Sequence, residues 1–319
     1  MSITKDQLRI IFMGTPDFAV HVLDGLVQQN YNIVGVVTAP DRPAGRGQKI
    51  KQSAIKTYAE LHKLNVLQPE NLKDPLFITE LEALVPDVQV VVAFRMLPKV
   101  VWQIPKHGTF NLHASLLPQY RGAAPINWAI INGEKETGVS TFFIDEKIDT
   151  GALIFQKSVP ISEDDTAGTL HDKLMNEGKL LTLKTVEAIC DNTIKTTQQP
   201  QSIELKTAHK LNKENCKIDW AKSGEQILNH VRGLNPYPGA WGLLENGEND
   251  LSVKIYEVEF EKTDHKFPIG KVIADKQSIK ICIKNGLIHL IQFKFPGKKQ
   301  MDVKSFLNGF SFHLEAKMV

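Results

Sequence analysis

The order of patterns in about the first forty residues constrains the fold more than any other feature of the chain. Leu8-Arg-Ile-Ile-Phe-Met13 is a short apolar run that stops at Gly14-Thr15-Pro16. Pro16 suits a helix start, where a missing N–H costs nothing. Apolar positions 19, 20, 22, 23, 26 and 27 then recur at helical spacing. The β-branched run Asn32–Thr38 follows as a second strand. Two strands joined through a helix with short connections predict a parallel sheet.

The alternation continues. Residues 53–64 and 74–84 read as helices, and 65–67 as a short strand. Asp87-Val-Gln-Val-Val-Val-Ala93 is a continuous apolar run, the pattern of a strand covered on both faces. Strands are predicted at 109–113, 139–144 and 152–160, and helices at 125–132 and 166–190. Residues 191–206 are polar, contain Pro and lack periodicity, so they read as a linker. Beyond them lie one helix near 222–233 and short alternating strands near 252–260, 268–274, 278–284 and 287–293. The expectation is an α/β Rossmann-like domain over 1–190, a linker over 191–206, and a small β-barrel of the oligonucleotide-binding (OB) kind over 207–319.

Composition narrows the function. No apolar run approaches the roughly 18–20 residues of a membrane span, and the N-terminus lacks a signal-peptide core. Three scattered cysteines, Cys190, Cys216 and Cys282, have no metal-binding spacing, so no metal is expected and a reducing cytoplasm fits. The net charge of +2 hides an asymmetry: residues 1–206 carry 21 basic and 23 acidic side chains, residues 207–319 carry 17 and 13. Residues 265–304 hold nine lysines against Asp275 and Asp302. Such a stretch is either a solvated face or the footprint of a polyanion.

The densest candidate segment is Asn111-Leu-His-Ala-Ser-Leu-Leu-Pro-Gln-Tyr-Arg-Gly-Ala-Ala-Pro-Ile126. Strand alternation puts Asn111 and His113 on one face, at the end of a parallel strand, where open α/β sheets build their sites. Asp145-Glu-Lys-Ile-Asp-Thr-Gly151 is an inter-strand loop and offers Asp149. An amide, an imidazole and a carboxylate suit acyl transfer: the first two steady an oxyanion, and the third manages protons. From spacing alone a structural histidine, an ordinary turn at Asp149 and a nucleophilic Ser115 all stay open, although no Gly-x-Ser-x-Gly elbow surrounds that serine.

These residues resemble the formyltransferase family that uses 10-formyltetrahydrofolate, whose pattern is Asn-x-His-x-Ser-Leu-Leu-Pro followed about thirty residues later by an Asp before a Gly-containing turn. Here the matches are Asn111, His113, Ser115-Leu-Leu-Pro118 and Asp149. Phe12–Ala19, the basic loop Thr38–Gly47, Lys217-Ile-Asp-Trp220 and Arg232–Trp241 resemble the branch that formylates the α-amine of initiator Met-tRNA. The resemblance implies Asn111, His113 and Asp149 as catalytic residues, with Asn111 and protonated His113 on the oxyanion. It places Ser115, Leu116, Leu117, Pro118, Phe94 and Met96 at the folate. After the central strand the chain reads Phe94-Arg-Met-Leu-Pro98 where that branch has Tyr-Gly and an apolar stretch, closer to the glycinamide ribonucleotide branch. Arg42, Arg46, Lys49 and Lys51 sit on a Gly/Pro-rich tether that cannot be a helix or a central strand. It is a solvent loop or a clamp on the tRNA acceptor end. Lys298 and Lys299 are assigned to tRNA phosphates. No obligatory protein partner is implied.

Overall fold

The computed structural model describes residues 3–44, 49–200 and 204–319. The chain divides into two compact units, neither of them continuous. The first takes Met1–Gly122, Thr137–Val159 and Asp172–Lys206; the second takes Ala123–Glu136, Pro160–His171 and Thr207–Val319. The helix Pro125–Ile131 and the first turn of the helix Ala167–Cys190 thus count with the second unit, not with the sheet beside them in sequence.

The first unit is built on a seven-stranded sheet in the order 153–160, 136–143, 109–113, 88–92, 9–14, 32–37, 66–67. The five strands from Thr109–His113 to Val66–Leu67 pair in parallel. The strand Glu136–Phe143 then joins Thr109–His113 antiparallel, so the sheet is mixed rather than wholly parallel. Every residue of Val88–Val92 is buried, as its unbroken apolar run requires. On one face Ile11, Met13, Val37 and Val91 pack with Phe77, Leu81 and Val101. The helices follow the periodicity, with ends trimmed to Ala54–Leu61 and Pro75–Ala83. Ser53 caps the first by accepting from Lys56 N–H and Asp74 the second by accepting from Leu76 N–H.

The basic segment is a small antiparallel hairpin, Arg42–Ala44 on Lys49–Lys51, separate from the main sheet. Its root is pinned by Asp41, which accepts from Lys56 Nζ at 2.5 Å and from Gln68 Nε2 at 2.8 Å. These contacts, the Lys56 bond foremost, hold the Asp41 carboxyl below its ordinary range.

The second unit carries a sheet ordered 272–274, 279–283, 286–294, 249–262, 240–246, 317–318. Val272 N–H donates to Ala316 O and Met318 N–H to Gly270 O, which brings the last strand back to the first and nearly closes a barrel. Its interior is Val253, Ile255, Ile281, Ile288, Leu290 and Phe293 with Ile227, Val231 and Leu234 of the helix Gly224–Leu234. The strand Ala240–Asn246 is not evident from sequence, because it starts directly after the Pro/Gly-rich stretch 235–239. That stretch is structural: Arg232 Nη1 donates to the carbonyls of Ser162 and Asp165, and Asn235 Nδ2 to that of Tyr256.

Candidate active site

Strand Thr109–His113 ends where Val92 ends beside it, and Asn111 and His113 project on the same face two residues apart. His113 is buried, and its Nε2 lies 2.8 Å from the carbonyl oxygen of Tyr120. A carbonyl only accepts, so Nε2 carries the proton and Nδ1 is the free position. Nδ1 faces Asp149 Oδ2 at 3.8 Å. That is ion-pair range, too long for a hydrogen bond. Asp149 Oδ2 also accepts from Gly122 N–H at 2.9 Å. The turn after the strand thus supplies a carbonyl to the imidazole and an amide to the carboxylate.

The Asn111 side chain is half-buried and makes no hydrogen bond with the described residues. An amide beside a buried imidazole, with its donors unspent, is a ready oxyanion partner.

Asp149 stands in the left-handed region at φ 55°, a conformation that costs a non-glycine residue about 1–2 kcal/mol. Two positions later a side chain is impossible: a Cβ on Gly151 would lie 1.7 Å from Phe143 O. Asp145 starts the loop by accepting from Lys147 N–H and Thr150 Oγ. Backbone strain of this kind persists where surrounding contacts over-determine it, as at functional sites.

The Ser-Leu-Leu-Pro run is framework. Ser115 is fully buried and donates to Gln119 O, while Ser115 O accepts from Ser140 Oγ. Ser140 Oγ in turn accepts from Leu117 N–H and Gln156 Nε2. Ser115, Leu117 and Pro118 are all buried, and Leu116 alone of the four is partly exposed. A nucleophilic Ser115 has no place here, since its hydroxyl donates to a backbone carbonyl and makes no hydrogen bond to an imidazole among the described residues. The Leu116 side chain packs beside Gly138.

Beyond Val92, residues 93–98 pass over the ends of the parallel strands. Phe94 packs on the core, whereas Met96 is 68% exposed. Arg95 donates to the carbonyls of Pro69 and Glu70, leaving its Nε buried without a partner among the described residues. Burial, with Arg42 nearby, holds its pKa below the ordinary guanidinium value. Residues 95–98 and 70–73 line a cavity of about 390 Å³. Met96 and Leu97 give this cavity apolar lining beside Arg95, Asn71 and Lys73.

Of the basic residues, Arg42 and Lys51 are exposed and face each other across the hairpin. Lys49 lies in the same strand, and Arg46 falls outside the described residues. Lys298 and Lys299 are exposed beyond the strand Gly286–Lys294.

Sequence reasoning missed Gln199. It lies in the polar stretch read as a linker, yet it is 5% exposed. Its Nε2 donates to the carbonyls of Asp149 at 3.0 Å and Gly151 at 2.8 Å. Its Oε1 accepts from Arg121 Nε and Nη2 at 3.1 and 2.6 Å. Nearby, Thr197 and Leu153 exchange both backbone hydrogen bonds.

Comparison with known proteins agrees with this architecture. The formyl transferase family model matches residues 8–186, and the formyl transferase C-terminal domain model matches 210–311. A sugar 3N-formyl transferase, WlaRD, shares the fold at TM-score 0.63 and 21% identity over 92% of this chain and 99% of its own. HypX from Aquifex aeolicus, solved with tetrahydrofolic acid, gives TM-score 0.63 at 17% identity over 95% of this chain and 47% of its own. Methionyl-tRNA formyltransferase of Flavobacterium johnsoniae is 58% identical over 98% of this chain and 99% of its own length. That of Bacteroides thetaiotaomicron is 50% identical over 96% and 97%. With relatives this similar along nearly their whole length, the chain belongs to the methionyl-tRNA formyltransferase family.

Proposed function

We propose that the protein transfers the formyl group of 10-formyltetrahydrofolate to the α-amine of methionine on initiator Met-tRNA, in the cytoplasm. The observation that carries the mechanism is the unspent Asn111 amide beside the His113–Asp149 couple at 3.8 Å. The folate is a second substrate, and when bound it supplies an activated formyl carbon. Residues 94–98, Leu116 and Asn111 hold it. Met96 and Leu97 offer apolar faces in the cavity that Arg95, Asn71 and Lys73 also line.

The neutral amine attacks the formyl carbon, forming the new C–N bond. Asn111 Nδ2 and the Nδ1–H of protonated His113 donate to the formyl oxygen as it gains charge. The Tyr120 carbonyl fixes the ring so that Nδ1 faces the reaction. Asp149 pairs with the cationic ring across 3.8 Å. As the bond to the folate nitrogen breaks, the proton lost by the amine passes to that nitrogen, with His113 and Asp149 as the relay.

Residues 207–319 serve as the tRNA-binding part. The hairpin cations Arg42 and Lys51, with Arg46 and Lys49, meet the acceptor end, and Lys298 and Lys299 meet phosphates. No helix among the described residues is long and apolar enough to cross a membrane. The test is transfer of labelled formyl from the folate donor to charged initiator tRNA, with an amino-sugar nucleotide as the competing acceptor. Transfer to tRNA alone is expected. Transfer to the sugar alone would overturn the acceptor assignment.

A further inference from the structure

We infer that Gln199 is a positioning residue for Asp149, oriented for that task by Arg121. The inference rests on the reading of Asp149 given above.

The geometry is specific. Both Nε2 hydrogens of Gln199 are spent on carbonyls flanking Thr150, one on Asp149 and one on Gly151. They fix the peptide planes at both ends of the turn that holds Asp149 at φ 55°. An amide can be flipped, and the flipped form would set Oε1 against two carbonyl oxygens. Arg121 forbids the flip, because Nε and Nη2 are donors only and both engage Oε1. The next residue, Gly122, grips the carboxylate directly. The segment 120–122 therefore sets three things at once: the His113 ring through Tyr120 O, the Asp149 carboxylate through Gly122 N–H, and the Asp149 backbone through Arg121 and Gln199. Without Gln199, the contacts that remain on the far side of the loop among the described residues are those of Asp145 with Lys147 and Thr150, of Thr150 with the Lys147 carbonyl, and the exposed Lys99–Glu146 pair. Ile148, next to Asp149, is 60% exposed and adds no restraint.

The test is Gln199→Met, which keeps length and removes every hydrogen bond. The folate donor and charged initiator tRNA are the substrates throughout. Displacement of a catalytic group by about 1 Å costs up to about 10²-fold, so kcat should fall by about 10- to 10²-fold while KM for both substrates stays near wild type. Gln199→Glu keeps the contact with Arg121 but turns an acceptor onto the carbonyls, and it should lower kcat as much. A double-mutant cycle with Arg121→Met should show strong coupling, the double variant losing little beyond Gln199→Met alone. If Gln199→Met does not fold, Arg121→Met carries the test: lower kcat with KM held supports the role. Unchanged kcat in a folded variant, or additive losses, would overturn it. Asp149→Asn run in parallel separates the two readings. An inactive Asp149→Asn beside a fully active Gln199→Met sinks the positioning role alone, and an active Asp149→Asn sinks the site on which it depends.

Discussion

The strand-end cluster and the lysine-rich barrel face dispose their polar groups in opposite ways. Around His113 the polar atoms of Ser115, Arg121, Ser140, Asp149 and Gln199 have partners within a few ångströms, and the Asn111 amide stands open. On the barrel, seven of the nine lysines at 265–304 are exposed. Lys271 and Lys280 are engaged, by Glu315 and Glu261. The acids there are occupied locally: Asp275 accepts from Gln277 and Ser278, and Asp302 caps the helix Val303–Leu307. Hydrogen bonds to these neighbours hold both carboxyls below their ordinary range, so their charge is retained. Bond-making needs fixed distances, and the cluster provides them by satisfying nearly every group. Phosphate binding needs charge density and tolerates motion.

The contrast is broken most sharply at Asp149. Asp149→Asn should lower kcat by roughly 10³–10⁴-fold, the scale seen when an orienting carboxylate beside a catalytic histidine is amidated. An amide turned toward Gly122 N–H would also oppose donor to donor. Single-turnover formyl transfer measures it, and near-wild-type turnover would remove the cluster from catalysis. Asn111→Ala should cost about 10²–10³-fold in kcat, the usual worth of one oxyanion donor. Tm should barely change, because the amide makes no hydrogen bond among the described residues. A large drop in Tm with intact kcat would make Asn111 structural.

The lysine face should respond on a different axis. Reversing charge with Lys298→Glu and Lys299→Glu together should weaken initiator and elongator tRNA alike, since phosphate contacts position without specifying. The slope of log Kd against log salt should flatten by about 0.9 for each phosphate that the variant no longer neutralises. Plots that coincide with wild type at every salt concentration would leave these lysines as a merely soluble surface.

Much of this was legible in sequence, for physical reasons. Continuous apolar strands and capped helices are local patterns, so the sheet from Arg9–Gly14 to Thr109–His113 could be read directly. Asn111 and His113 were visible because strand alternation is local too. Gln199 was not: its function arises from contacts with residues 48 and 78 positions away in sequence, and its neighbours carry the composition of a linker. The Ser-Leu-Leu-Pro run was legible as a motif but not as framework, because burial of Ser115 depends on Ser140 from another strand. The Ala240–Asn246 strand was hidden for a related reason, since the turn chemistry of 235–239 masked its start.

The smallest effect sharpens the comparison through two histidines. His113 has one nitrogen committed to Tyr120 and the other facing Asp149. His230, on the helix Gly224–Leu234, is half-buried, and its Nε2 is out of solvent without a partner among the described residues. Burial pushes its pKa below the ordinary 6.5, with Lys222 adding to the shift and a hydrogen bond to the Cys216 backbone opposing it. In the unfolded chain His230 protonates near 6.5, whereas in the folded chain it resists. As pH falls through 6.5 the unfolded state therefore gains protons first, and stability declines until the lower folded pKa is passed. One such group contributes at most about 1.4 kcal/mol per pH unit. His230→Gln removes the titration while keeping an amide donor for the Cys216 carbonyl. Its denaturant midpoint should fall less between pH 7 and 5.5 than that of wild type. Parallel declines in the two proteins would show that His230 carries none of the acid sensitivity.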